Sequence, residues 1–66
     1  MPNITVELLS GRSVDQRREF VEAVTEAAVT VLKARRQDVR IRFDEIERGD
    51  VANGGILESE RATPRE

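Results

Sequence analysis

At 66 residues the chain has room for one small domain, and domains of this size bury only about 60% of the surface that their unfolded chains expose. It contains no cysteine and no histidine, which excludes disulfides, thiolate and imidazole metal sites, and the usual general base near neutral pH. Eleven basic residues stand against 13 acidic ones for a net charge of −2, with two aromatics in all, so the balance points away from nucleic acid as a partner and offers little for base stacking.

Pro2 opens the first element. Proline has no N–H to give to a ladder, so it suits the start of a strand. A small second residue also permits removal of Met1, and Pro2 would then carry a free secondary amine. That amine could act as a base or a nucleophile. The following residues, Asn3 to Leu9, alternate Ile4, Val6 and Leu8 against Asn3, Thr5 and Glu7, which predicts a strand with two unlike faces.

Ser13 followed by Gln16 matches a capping box, and Asp15 and Glu19 place negative charge where the helix dipole favours it. Phe20, Val21, Val24, Ala27, Ala28, Val31 and Leu32 then recur at spacings of three and four. They predict one apolar stripe on a helix over roughly residues 14–35, with Lys33, Arg35 and Arg36 at its C-terminal end. Glu22 and Glu26 read as part of its solvated face. Next, Val39, Ile41 and Phe43 alternate with Arg40, Arg42 and Asp44 in a second strand. The intervening helix is the long crossover that parallel pairing requires.

Asn53-Gly54 signals a hairpin turn, and the polar, proline-containing ESERATPRE segment is expected to fray. The expected fold class is α+β: a β-α-β unit with parallel strands plus a C-terminal β-hairpin, one domain over 1–61 with a disordered tail at 62–66. A two-stranded sheet under one helix leaves a face and two edges open, so the unit should be marginal alone. Those surfaces are expected to become subunit interfaces. No apolar run approaches the ~20 residues of a membrane span, and no signal peptide is visible. A soluble cytoplasmic homo-oligomer without a membrane partner is expected.

With His, Cys, Tyr and Trp absent, chemistry falls to carboxylates, arginines, hydroxyls, Lys33 and the Pro2 amine. Lys33 sits where a helix end favours a lysine for structural reasons. An α-amino group titrates near ~7.7–8 in model peptides. An apolar pocket beside cations would disfavour its charged form and lower its pKa toward working pH, as a general base requires. Arg12 follows the first strand and Arg40 begins the second. Each could be a surface charge only, or could grip carboxylate and enolate oxygens. Parallel pairing places Arg12 at the strand end opposite Pro2, so one chain could not easily gather Pro2, Arg12 and Arg40, whereas several subunits could.

The order MP, a strand, GRS opening a helix, VRI in a second strand and GG in a hairpin resembles the 4-oxalocrotonate tautomerase family over residues 1–61. The resemblance implies subunits that pair into dimers, three of which form a hexamer with active sites between subunits. It implies that Pro2 is the catalytic base, moving a proton in 2-hydroxydienoate or unsaturated 2-oxo acid substrates resembling 2-hydroxymuconate. Arg12 would bind the far carboxylate of a dicarboxylate. Arg40 of a neighbouring subunit would hold the near carboxylate and 2-oxo group and stabilise the dienolate. Leu9 and Val51 would line the substrate pocket, and no cofactor or metal is implied.

The chain departs from the family pattern at Val51, where the best-known members carry a phenylalanine that helps exclude water. A roomier pocket is expected there. Arg42 adds a cation on the strand face of Arg40, read as the partner of an interface acid. Where related dehalogenases and hydratases carry a water-activating acid and a second arginine, this chain has Asn53 and Leu9, which favours isomerisation over hydration. A decarboxylase or iminium-forming enzyme on the same fold is an alternative, as is a non-enzymatic oligomeric module in which Pro2 only starts a strand.

Overall fold

The computed structural model describes residues 2–62. Met1, and with it the expectation of its removal, lies outside them, as does the tail beyond Ala62. Strand β1 (Asn3–Leu9) leads through helix α1 (Val14–Leu32) to strand β2 (Arg40–Ile46), and a short hairpin follows, β3 (Ala52–Asn53) and β4 (Ile56–Leu57). β1 and β2 pair in parallel, Asn3 opposite Arg40 and Leu9 opposite Ile46. The expected β-α-β unit with a C-terminal hairpin is the observed fold.

The period-two pattern sorts the sheet as the sequence requires. Ile4, Val6, Leu8, Ile41 and Phe43 are half-buried, whereas Asn3, Thr5, Glu7, Arg40 and Arg42 are exposed. At the far end of both strands the second face becomes apolar, through the alternate positions Leu9 and Ile46. Ser10 extends the ladder, donating its N–H to the Ile46 carbonyl at 2.9 Å, and its hydroxyl donates to Glu47 Oε2 at 2.9 Å.

Helix α1 starts where the capping box predicts. The Gln16 N–H donates to Ser13 Oγ at 3.1 Å, and the Ser13 N–H donates to Gln16 Oε1 at 2.9 Å. Two of the four orphan donors at a helix start are thereby satisfied. The end is earlier than residue 35. Lys33 turns left-handed at φ 60°, and its N–H and that of Ala34 both point at the Ala28 carbonyl. Arg35 and Arg36 therefore lie beyond the helix, and a 3-10 turn over Arg36–Asp38 leads into β2. Arg36 folds back to pair with Glu26 and lies 3.9 Å from Glu22, so these acids anchor the crossover while staying exposed.

One chain covers the apolar stripe only in part. Phe20 meets Phe43 at a ring-centroid distance of 6.1 Å, and Arg17 lies 5.0 Å over the Phe43 ring while pairing with Glu45. Ala28 is 5% exposed and Leu9 8%, but Val31 is 73% exposed and Leu32 65%. Two strands ~4.8 Å apart are narrower than the face the helix presents. Apolar surface of this extent on so small a chain is the signature of a covered interface.

The hairpin forms, with its turn one residue later than the Asn-Gly signal. Asn53 belongs to β3, and the two central positions are Gly54 (φ 62°) and Gly55 (φ 81°). Two consecutive positive φ angles match the right-handed twist of a two-residue hairpin and favour glycine at both places. The segment after it, expected to fray, instead makes a 3-10 turn over Glu58–Glu60. Its first N–H donates to the Val51 carbonyl at 2.9 Å.

Candidate active site

Pro2 and Arg40 are neighbours at the start of the sheet. The Arg40 N–H donates to the Pro2 carbonyl at 3.0 Å, extending the ladder one residue before β1 through proline's acceptor rather than its missing donor. The side chains of Arg40 and Arg42 line an open depression with Asn3, Ile4 and Thr5. Half-buried Pro2 thus begins a strand whose neighbour carries two cations on one face. Arg42 approaches Asp44 at 3.8 Å along its own strand; both side chains are about half-exposed, and such a pair contributes little to stability.

Arg12 lies beyond the other end of β1. Seven residues separate Asn3 from Leu9 inclusive, so the two ends are roughly 20 Å apart at ~3.3 Å per residue. Arg12 instead borders a crevice of about 280 Å³ between helix and sheet, walled by Val6, Leu8, Phe20 and Phe43 and edged by Arg17. Arginine and an apolar wall together could hold an organic acid.

Leu9 and Val51 do come together. With Ile46 they make the apolar side of a cavity of about 210 Å³ that Asn53 and Glu58 also face. This wall exists because the hairpin folds back over the apolar end of the open face. The five residues proposed from the sequence therefore fall in three places: Pro2 with Arg40, Leu9 with Val51, and Arg12 apart from both. No single chain assembles them.

Glu58 is the residue that sequence reasoning missed. It is 3% exposed, and its Oε2 accepts from Asn53 Nδ2 at 3.1 Å and from Arg61 Nε. Arg61 Nη2 also donates to the Asn53 carbonyl at 2.8 Å. Asn53, at the position where a water-activating acid was sought, is a donor to an acid instead. A carboxylate in a polar, unpatterned segment carries no sequence signal for burial; its place follows from the tertiary path of the hairpin.

The model of the tautomerase enzyme family matches residues 2–60. The chain belongs to the tautomerase family. Among similar members, the 2-hydroxymuconate tautomerase of Bacillus subtilis is 34% identical over 55 residues, covering 83% of this chain and 89% of that one. A 4-oxalocrotonate tautomerase isozyme from Methylibium petroleiphilum is 38% identical with a TM-score of 0.84, covering 88% of this chain and 91% of that one. A heterohexameric 4-oxalocrotonate tautomerase from Chloroflexus aurantiacus is 28% identical with a TM-score of 0.84, over 91% and 97% of the two chains. The β-α-β unit and hairpin are thus those of a tautomerase. Among the described residues of this tautomerase, no helix is long and apolar enough to cross a membrane.

Proposed function

We propose that this tautomerase is an isomerase of 2-hydroxydienoates and unsaturated 2-oxo acids in which Pro2, freed by removal of Met1, is the general base. The Pro2 nitrogen takes a proton from the substrate and returns it at a carbon farther along the conjugated system. Between those steps the negative charge rests largely on the 2-oxo oxygen. Arg40 holds that oxygen and the adjacent carboxylate, stabilising charge where it develops. Arg12 binds a second carboxylate where the substrate carries one, and Leu9 and Val51 exclude water from the reacting carbons.

The observation that carries this reading is the separation of these groups within one chain, together with a helix stripe and a sheet face left open. The scattered groups become a site only if several chains meet, and a homo-oligomer would supply them, a hexamer in particular, the subunit number of the Chloroflexus relative, which is built from unlike chains. The similarity to the Bacillus 2-hydroxymuconate tautomerase supports 2-hydroxymuconate as the first substrate to try. Its ketonisation is followed by ultraviolet absorbance. Turnover that survives borohydride treatment with substrate present supports proton transfer. Loss of activity with a borohydride-fixed adduct on Pro2 would instead favour the iminium route.

A further inference from the structure

The hairpin that brings Val51 to Leu9 is too short to hold itself. β3 and β4 pair over two residues each, Ala52 with Leu57 and Asn53 with Ile56, and an isolated two-stranded hairpin is marginal in water even at greater length. Glu58, the first residue after β4, reaches back to both sides of Ala52. Its N–H donates to the Val51 carbonyl at 2.9 Å, and its Oε2 accepts from Asn53 Nδ2 at 3.1 Å. Arg61 closes the arrangement, donating from Nε to the same carboxylate oxygen and from Nη2 to the Asn53 carbonyl at 2.8 Å. All of these groups belong to one chain, so they meet without a neighbouring subunit.

Glu58 is 3% exposed, and a carboxylate is almost never so buried unless it is paired. Arg61 supplies the pair, through bonds that its charge strengthens. Without that guanidinium the carboxylate would keep its desolvation cost and lose its counter-charge. The relief open to it is to turn out to water, which breaks the bond to Asn53 and loosens the 3-10 turn whose first N–H holds Val51. The ion pair and the place of Val51 are therefore coupled. We propose that Arg61 is a positioning residue that, acting through Glu58, holds Val51 beside Leu9 as a wall of their shared cavity. As a part in catalysis this rests on the proposed function, which takes Leu9 and Val51 as the substrate pocket; as a statement about the place of Val51 it does not.

Amide hydrogen exchange in the full chain tests this. In Arg61→Ala, protection of the Glu58 amide should fall about tenfold or more, while amides in the middle of the β1–β2 ladder, where Val6 pairs with Phe43, stay within about twofold of the parent. Local release has that pattern, whereas a loss of global stability moves both sets together. Arg61→Lys keeps the charge without the planar fork. It should show the same pattern at a smaller size, and it decides alone if the alanine variant does not fold. Unchanged protection at Glu58, or an equal fall in the ladder, would overturn the proposal. The catalytic counterpart is a double-mutant cycle on kcat/KM for 2-hydroxymuconate. Arg61→Ala should cost about fivefold or more in the parent chain but less than about twofold beside Val51→Ala, because the wall that Arg61 positions is already cut back. Equal losses in both backgrounds would show that Arg61 does not act through Val51. If the parent protein does not turn over this acid, the isomerase reading fails while the exchange pattern still decides the role of Arg61.

Discussion

In the proposed reaction, Pro2 and Arg40 would divide the chemistry between a neutral amine and a fixed cation. Replacing Pro2 by alanine leaves a primary amine at the same place but removes the ring that fixes its direction. We expect turnover of 2-hydroxymuconate by Pro2→Ala to fall at least 100-fold, with intact mass confirming that Met1 is absent from both proteins. Equal rates would leave Pro2 as a strand starter only. Arg40→Ala removes charge-assisted hydrogen bonds worth about 1.5–3 kcal/mol each. Its kcat/KM should therefore fall about 10- to 100-fold per bond lost. Arg40→Lys should recover part of that loss, because an ammonium keeps the charge without the planar fork.

The elements are readable where their signals are local. β1 has the bounds that its alternation predicts, and α1 begins where Ser13 and Gln16 close a reciprocal cap. Ser13→Ala should destabilise the protein by about 1 kcal/mol in urea unfolding at fixed protein concentration. The helix end was not legible, because the left-handed residue is Lys33 and a lysine carries none of glycine's signal. A non-glycine residue in that conformation costs roughly 1–2 kcal/mol, part of which glycine returns through its more flexible unfolded chain. Lys33→Gly should accordingly raise stability by about 0.5–1 kcal/mol, and a loss of stability would show that the lysine side chain supports the crossover. Asn53-Gly54 located the hairpin but misplaced its turn by one position, since Gly54-Gly55 satisfies two positive φ angles better than Asn53-Gly54. The buried place of Glu58 was invisible, because it depends on the fold returning a polar segment to the end of β1.

At the scale of the whole molecule, the sparse core and the scattered site have one physical explanation. A chain of 7.5 kDa whose apolar helix positions stay open should gain much of its stability from association. Sedimentation should show species several times that mass at micromolar concentration, with helical circular dichroism and activity lost together on dilution. The site makes the sharper demand, because Arg12 and Pro2 stand at opposite ends of β1. The most direct measurement mixes Pro2→Ala and Arg12→Ala chains in denaturant, refolds them together, and follows 2-hydroxymuconate ketonisation at low substrate. Each variant alone should be nearly inactive. Random assembly places an intact Pro2 beside another chain's intact Arg12 in about one quarter of sites, so the mixture should recover about a quarter of the parent rate. A mixture no more active than the two variants separately would contradict a site built from Pro2 and Arg12 of different chains.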